Sequence, residues 1–154
     1  GMLINPKFGT YTFIGELIVD IDIEPSGGEM PSRCGTCTGC IDACPTGAII
    51  APAILDARKC ISYLTIEKKS PLTPSEIESL NGWCFGCDIC QEVCPWNKKA
   101  KETTIEEFEP LPEVLNYTTD QWKDISEEEF YRIFSGSAVL RAGYRGFMRN
   151  VSIG

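Results

Sequence analysis

Apolar and polar residues alternate near the N-terminus in a pattern that predicts a β-strand. Residues 11–23 are rich in β-branched and aromatic side chains, and the alternation is clearest from Leu17 to Ile23. Because the side chains of a strand point alternately to opposite faces, such a segment buries one face against a partner. Residues 1–30 are therefore expected to form a strand segment that belongs to a truncated N-terminal neighbour.

Two helical patterns follow in the middle of the chain, within residues 46–83. The first covers residues 56–67, where apolar residues recur at helical spacing. The second begins with a Thr-Pro-Ser-Glu capping box at residues 73–76 and ends at the Asn-Gly pair 81–82. These patterns predict a helical insert.

The C-terminal third, residues 101–154, is charged and contains further helical signals. A capping box that starts at Ser126 predicts a helix, which Gly136 ends. Residues 138–151 predict a last helix. We therefore expect a helical C-terminal tail.

Three arginines recur at every fourth position of that last predicted helix: Arg141, Arg145 and Arg149. This spacing aligns them on one helical face, and an arginine can hold a phosphate with two hydrogen bonds. One interpretation is a nucleic-acid contact. The alternatives are a solvated surface, or pairing with acidic residues such as 127–129 that docks the tail onto the rest of the chain.

Composition and charge restrict the partners. The 154 residues are 43% hydrophobic and carry a formal net charge of -8. This size suits one globular domain or a core with an appendage, and no apolar run is long enough to cross a membrane. Because an acidic body repels nucleic acid, an RNA contact would need a separate basic surface.

The cysteines carry the candidate chemistry. Nine are present, and all but Cys60 belong to two runs with the spacing C-x2-C-x2-C-x3-C-P, at residues 34–45 and 84–95. In bacterial ferredoxins the first three thiolates of such a run hold one 4Fe-4S cluster, and the fourth reaches a second cluster. Two runs therefore predict two clusters. The spacing leaves open whether Cys60 is a ligand or a small apolar side chain.

Zinc, disulfides and unliganded thiols are the alternatives. Structural zinc sites usually consist of two separated Cys or His pairs, and this chain has no histidine. Disulfides are disfavoured because nine is an odd number and because the N-terminus has no charged region followed by an apolar run. Cysteines kept reduced for iron indicate a cytoplasmic protein.

Several stretches taken together resemble the epoxyqueuosine reductase family. The similarity covers nearly the whole chain. Its most specific part is Cys-Ile-Ser-Tyr-Leu-Thr-Ile-Glu at residues 60–67, since many ferredoxins share the cysteine runs. The other stretches are Ile4-Asn-Pro6, Gly9, Phe13-Ile-Gly-Glu16, Pro45-Thr-Gly-Ala48, Leu55-Asp-Ala-Arg58, Gly86-Cys-Asp88, Cys90-Gln-Glu-Val-Cys-Pro-Trp-Asn97, Arg141-Ala-Gly143 and Gly146-Phe-Met-Arg-Asn150.

The resemblance implies an α+β fold in which residues 31–100 form a ferredoxin-like domain with two 4Fe-4S clusters and the helical insert. It implies that Cys34, Cys37, Cys40 and Cys94 hold one cluster, and that Cys44, Cys60, Cys87 and Cys90 hold the other. Cys84 is then surplus. Ser62 and Asp88, beside the second cluster, are the candidate cobalamin contacts, and no residue is assigned a catalytic role.

The family is similar to reductive dehalogenases in pairing two 4Fe-4S clusters with a cobalamin, and it converts epoxyqueuosine in tRNA to queuosine. The resemblance therefore implies an electron-transfer module that passes single electrons to cobalamin. The implied partners are a cobalamin-binding N-terminal part, tRNA, and a reductant such as flavodoxin or ferredoxin. Most of the cobalamin site is expected outside this chain, so the chain alone is not expected to convert epoxyqueuosine.

Two other functions remain open. A free-standing two-cluster ferredoxin-type electron carrier has the same cysteine runs, but it would need neither the insert at residues 46–83 nor the arginine-bearing tail. The other is an RNA-interaction module in which the clusters are purely structural. Reversible one-electron reduction would count against that function.

Overall fold

The computed structural model describes residues 2–28 and 30–153, and short helices account for most of its regular structure. The α-helices are α1 (Gly39–Asp42), α2 (Pro74–Leu80), α3 (Ile89–Glu92), α4 (Pro112–Asn116), α5 (Thr119–Lys123), α6 (Glu127–Ile133) and α7 (Gly143–Val151). Tighter 3₁₀ turns occupy Ala57–Lys59, Pro95–Lys99, Glu106–Phe108 and Ala138–Arg141, and a π-helix spans Tyr63–Glu67.

The β structure is one small antiparallel pair that follows the first cysteine run. Strands β1 (Ile49–Ala51) and β2 (Ile54–Leu55) are joined by a tight turn, and their register is irregular between Ile49 and Ala51. Ala53 sits in this turn with a left-handed backbone, φ 61°. The mixture of helices with a two-stranded sheet confirms the α+β prediction in its general form.

The predicted N-terminal strand is not observed. Residues 11–23 have no strand pairing, and the nearest ladder contact is an isolated bridge between Asn5 and Gly9. Phe13, Leu17 and Ile18 are 88%, 87% and 96% exposed. A strand requires a neighbouring strand for its hydrogen bonds, and no part of the described chain offers one to this segment.

The helix predicted over residues 56–67 is interrupted at Cys60. Asp56 caps the 3₁₀ turn Ala57–Lys59 by accepting the N–H of Arg58, and Cys60 then adopts an extended backbone with φ -68° and ψ 127°. The chain becomes helical again and widens into the π-helix. Apolar spacing could not reveal this break, because the residues on either side of Cys60 keep a helical period.

The two predicted capping boxes are confirmed. At the start of α2, Thr73 Oγ1 accepts the N–H of Glu76 and Glu76 Oε2 accepts the N–H of Thr73. Ser126 and Glu129 make the same reciprocal pair at the start of α6. Asn81, the C-cap of α2, is left-handed with φ 49°.

The helix predicted over residues 138–151 is two elements. The 3₁₀ turn Ala138–Arg141 ends before α7, whose first residue, Gly143, has a left-handed backbone with φ 73°. Glycine adopts this conformation at little steric cost, which allows the chain to change direction there. As a result Arg141 does not share a continuous helical face with Arg145 and Arg149.

The largest apolar core lies in the C-terminal tail, around the fully buried ring of Phe130. Trp122 stacks on Phe134 with 5.7 Å between ring centroids, and Phe130 meets Phe147 at 5.4 Å. The buried members of this core are Ile125, Phe130, Ile133, Phe134, Phe147 and Val151. Helix α7 also contacts the π-helix, so the tail is docked on the insert that carries Cys60.

No helix in residues 2–28 and 30–153 combines the length and the apolar character needed to cross a bilayer.

The N-terminal segment is attached to the end of the second cysteine run through Asn97. Thr10 donates its N–H to Asn97 Oδ1 at 2.7 Å, and Asn97 Nδ2 donates to Thr10 Oγ1 at 2.8 Å and to the Gln91 carbonyl at 2.6 Å. Gly9 has φ 83°, and a Cβ there would lie 2.2 Å from Asn97 Oδ1. Glycine is required at this position both for its backbone and for the space.

We predict that Gly9→Ala destabilises the chain, whereas the matched change Gly15→Ala does not. A left-handed backbone costs a non-glycine residue about 1–2 kcal/mol, and the methyl group would also displace Asn97. A Cβ at Gly15 has no atom within 4 Å. Thermal unfolding should show Tm lowered by about 2–4 °C per kcal/mol in Gly9→Ala only. Equal Tm values for the two variants would contradict the account of Asn97.

Candidate metal centre

Cysteines from both runs line one cavity of about 290 Å³. Between them the wall is apolar and includes Ile41, Ala48, Ile61 and Ile89. All of the cysteines are free thiols rather than disulfides. The lining cysteines are Cys34, Cys37, Cys40, Cys44, Cys60, Cys87 and Cys90.

Two short helices bring the runs together. Helix α1 contains Cys40, α3 contains Cys90, and the two helices pack against each other. Gly39 lies near the end of the second run, since a Cβ there would be at the ordinary contact distance of 3.7 Å from the Val93 carbonyl oxygen. The residue that precedes Cys94 therefore contacts the first run. Cys94, 7% exposed, is the most buried of the nine cysteines and lies at this junction.

The loop after the first run presents hydrogen-bond donors to Cys44. Its Sγ lies 3.6 Å from Thr46 Oγ1. Burial raises the pKa of Cys44, but N–H groups of Ile49, Thr46 and Ala48 and the Thr46 hydroxyl outweigh that effect, so the pKa is lowered overall. Donors of this kind stabilise a thiolate, the form of cysteine that binds metals.

The break at Cys60 places its thiol beside the second run. The pKa of Cys87 is raised, first by burial and then by the negative charges of Cys60, Asp88 and Cys44. Burial likewise raises the pKa of Cys90, and the charges of Cys87, Cys60 and Cys40 add to it. The negative charge of one thiolate therefore disfavours ionisation of the neighbouring thiols. A positively charged iron centre would reverse this repulsion by binding the thiolates.

Cys84 has a different environment from the other members of its run. Like Cys94 it is outside the cavity lining, but Cys84 is exposed, whereas Cys94 is buried at the junction of α1 and α3. Its backbone carbonyl accepts a hydrogen bond from Asn150 in α7. The sequence symmetry of the two runs is therefore not matched by a symmetry of their surroundings.

The arrangement fits a group larger than a single ion. Four thiolates on one zinc ion, each about 2.3 Å from the metal, must converge on one point. No three His, Cys, Asp or Glu side chains within residues 2–28 and 30–153 form such a single-ion site. Thiols spread around the wall of a cavity suit an iron-sulfur cluster, which is bound by cysteines at several separate irons.

Ser62 and Asp88, the candidate cobalamin contacts, both lie next to Cys87. Ser62 Oγ donates to the Cys87 carbonyl at 3.4 Å, and Asp88 Oδ1 accepts from Gln91 Nε2 at 2.6 Å. These bonds help to shape the second cysteine loop. A contact with cobalamin stays a prediction.

Tyr11 lies beside the same loop, and its position could not be predicted from the sequence. Burial raises the pKa of its hydroxyl, and the charges of Asp88, Glu92, Cys90 and Cys94 raise it further. The segment that contains Tyr11 was expected to pair with a neighbouring domain. No spacing or motif connected it with the cysteines, so only the folded chain reveals this proximity.

The three arginines have different surroundings. Arg141 forms an ion pair with Glu67, and the Arg149 guanidinium donates to the carbonyls of Leu64, Lys68 and Ser70. These contacts dock the tail, although on the insert rather than on the acidic residues 127–129. Within the described residues, the exposed side chain of Arg145 makes no hydrogen bond or ion pair. A nucleic-acid role for the arginines stays a prediction.

The chain is similar to a family of cluster-binding domains and to curated epoxyqueuosine reductases. A family model described as a 4Fe-4S double cluster binding domain matches residues 33–97. The chain is 45% identical over 150 residues to epoxyqueuosine reductase of Cellulophaga algicola, covering 97% of this chain and 48% of that protein. For the Pseudomonas aeruginosa enzyme the values are 44% over 154 residues, 99% and 42%.

Solved structures of epoxyqueuosine reductases are also similar to this chain. Epoxyqueuosine reductase from Bacillus subtilis superimposes with a TM-score of 0.90 at 36% identity, covering 99% of this chain and 40% of that chain. A crystal structure of epoxyqueuosine reductase with an epoxyqueuosine-modified tRNA-Tyr stem loop gives the same values. The chain therefore spans about half the length of the curated relatives it matches.

We predict that Cys60→Ala removes iron and that Cys84→Ala does not. Cys60 lines the cavity, whereas Cys84 is exposed and outside it. Cys94 is also outside the lining, but it is buried where α1 packs against α3. Iron analysis of anaerobically prepared protein should show a loss of about four iron atoms per chain for Cys60→Ala, one cluster's content, and no loss for Cys84→Ala. The reverse result would favour symmetric ligation by the two runs and would contradict the role given to Cys60.

Proposed function

The chain belongs to the epoxyqueuosine reductase family, and we propose that it is the iron-sulfur electron-transfer module of such a cobalamin-dependent, tRNA-modifying oxidoreductase. The observation that carries this proposal is the shared cavity, which collects thiols from both runs and from Cys60. When bound, 4Fe-4S clusters supply reversible one-electron transfer.

The proposed ligand sets exchange their fourth members. Cys34, Cys37, Cys40 and Cys94 hold one cluster, and Cys44, Cys60, Cys87 and Cys90 hold the other. The contact between Gly39 and the residue before Cys94 supports the first set. The charges of Cys60 and Cys44 acting on Cys87, and of Cys87 and Cys60 acting on Cys90, support the second, although Cys40 of the first set also acts on Cys90.

Groups other than the ligands prepare the site. The N–H groups around Cys44 favour its thiolate form, and the apolar wall formed by Ile41, Ala48 and Ile61 excludes water. Both features affect a reduction potential, because hydrogen bonds to sulfur and solvent access are principal determinants of it. We assign no catalytic residue to this chain.

We further propose that residues 31–100 form a ferredoxin-like two-cluster domain, and that residues 1–30 extend from it to a cobalamin-binding part of the enzyme. The exposed apolar residues Phe13, Leu17 and Ile18 support this, since such a patch is costly to leave in water. The relatives are about twice as long as this chain, which provides room for a partner of that kind.

The remaining partners follow from the same family relationship. They are tRNA, which a similar protein holds in its crystal structure, and a cytoplasmic reductant such as flavodoxin or ferredoxin. A free-standing two-cluster carrier is the alternative function. The exposed apolar residues and the docked tail count against it, because a diffusible carrier needs neither.

The proposal predicts two 4Fe-4S clusters in the anaerobically prepared chain. Its iron and acid-labile sulfide should each be about eight atoms per chain, and a broad visible absorption should bleach on reduction and return on oxidation. Iron and sulfide assays with a spectroscopic titration measure this directly. One cluster, stoichiometric zinc, or clusters that cannot be reversibly reduced would contradict the proposed function.

The proposal also predicts that Arg145 contacts tRNA. In the complete enzyme, Arg145→Ala should weaken tRNA binding and reduce the slope of log K against log salt by about 0.7–0.9, the value for one phosphate contact. Tm should stay unchanged, because the Arg145 side chain is exposed and has no hydrogen-bond or ion-pair partner within residues 2–28 and 30–153.

Arg132→Ala is the matched control for this experiment. It removes the same charge from α6, where Arg132 is paired with Glu113 at 3.5 Å. Binding of tRNA should remain close to that of the unmodified enzyme in this variant. If Arg145→Ala and Arg132→Ala weaken tRNA binding equally, the loss reflects the change in net charge and not a contact by Arg145. If Arg145→Ala binds tRNA as well as the unmodified enzyme, the contact is excluded.

A further inference from the structure

The π-helix that follows Cys60 ends with carbonyl groups that its own backbone does not satisfy. A helix leaves its last carbonyls without intrahelical partners, and buried carbonyls need donors from elsewhere. Side chains outside the helix provide them. Arg149 donates to the carbonyl of Leu64 at 2.8 Å and to that of Lys68 at 2.7 Å, and Lys69 donates to that of Ile66 at 3.0 Å.

Asn150 extends this set of donors to the second cysteine loop. Its amide nitrogen donates to the Thr65 carbonyl and to the Cys84 carbonyl, both at 2.8 Å. Its amide oxygen accepts two hydrogen bonds from Arg149, at 3.0 and 2.9 Å. Only 1% of Asn150 is exposed, so water does not replace these partners. One side chain therefore joins two segments that are distant in sequence.

Thr65 makes a second connection between the same two segments. Its hydroxyl donates to the Ile61 carbonyl at 2.8 Å and accepts the N–H of Gly86 at 3.0 Å. Thr65 is also 1% exposed. Gly86 immediately precedes Cys87, and Ile61 immediately follows Cys60. The hydrogen bonds thus end next to two of the cavity-lining cysteines.

We propose that Asn150 is a positioning residue for the second cluster, holding the Cys60 segment and the Cys84–Cys87 loop at the separation that ligation requires. This inference rests on the proposed function. It assigns to α7 a role beyond docking the tail, because the α7 amide fixes the spacing between backbone segments that carry ligands. Thr65 acts with it from within the π-helix.

The effect is specific to one cluster because the hydrogen bonds are confined to one side of the cavity. They reach the segments that contain Cys60 and Cys87, which belong to the proposed second set. The first set depends on α1 and on its packing against α3, and α7 donates no recorded side-chain hydrogen bond to residues 34–42 within the described chain. Loss of Asn150 should therefore alter the second cluster and spare the first.

The test compares Asn150→Ala with Val151→Ala in the full 154-residue chain, prepared without oxygen. Both changes truncate adjacent buried residues of α7, but Val151 packs into the tail core rather than onto the cysteine loop. Iron analysis, electron paramagnetic resonance of the reduced protein and redox titration are the readouts.

For Asn150→Ala we expect iron to fall from about eight to about four atoms per chain, or the second cluster to remain with a shifted potential. The resonance signal that is lost or altered should be the one that Cys60→Ala loses. Val151→Ala should lower Tm and retain both signals with unchanged potentials. Thr65→Val, which removes the hydroxyl, should act like Asn150→Ala, and Thr65→Ser, which keeps it, should retain both clusters.

Three results would overturn the inference. If Asn150→Ala keeps both clusters at unchanged potentials and only lowers Tm, as Val151→Ala does, Asn150 is merely a packing residue. If it loses both clusters equally, α7 supports the whole domain rather than one site. If the unmodified chain does not hold two clusters, the proposed function itself fails, and this inference fails with it.

Discussion

The fold depends on one constraint, which is that thiolates from distant parts of the chain must meet around a common cavity. Neither cysteine run encloses the cavity alone, since its wall includes Cys34, Cys44, Cys60 and Cys87. The packing of α1 against α3 meets this constraint. The extended backbone at Cys60 brings in a thiol from outside both runs.

The part of the chain that surrounds the cavity has only a small core, Ile61, Leu64 and Leu80, against which Cys87 packs. Helices α1 and α3 have four residues each, and isolated helices of that length are unstable in water. The substantial core lies instead in the tail, around Phe130. The small core, the hydrogen bonds of Asn97 and tail docking order the cysteine loops, and metal binding would add to them. Metal binding contributes to folding because the ligand site does not exist in the unfolded chain.

Sequence patterns that involve only neighbouring residues gave the predictions that the structure confirms. The capping boxes at Thr73 and Ser126 involve residues three apart, so their outcome does not depend on the rest of the fold, and both are confirmed. The cysteine spacing identified six of the seven cysteines that line the cavity for the same reason. The strand predicted over residues 11–23 is not observed, because a strand depends on a partner and the described chain does not provide one. Its pairing with a neighbouring part of the enzyme stays a prediction.

The other features that the sequence did not predict are changes of backbone direction and hydrogen bonds between distant segments. Gly143 divides the last predicted helix, which separates Arg141 from the other two arginines. Asn150 had no sequence pattern that marked it, because its partners at Thr65 and Cys84 are distant along the chain. Cys60 was found through a family resemblance rather than through spacing. Its position in the cavity now gives that assignment a physical basis.

The central claim is that two clusters share the cavity through exchanged ligands, and iron-edge anomalous diffraction from anaerobically grown crystals tests it most directly. The account predicts two separate groups of iron. One should lie against Cys34, Cys37, Cys40 and Cys94, and the other against Cys44, Cys60, Cys87 and Cys90. A single iron group, or density that connects Cys84 rather than Cys60 to iron, would contradict it.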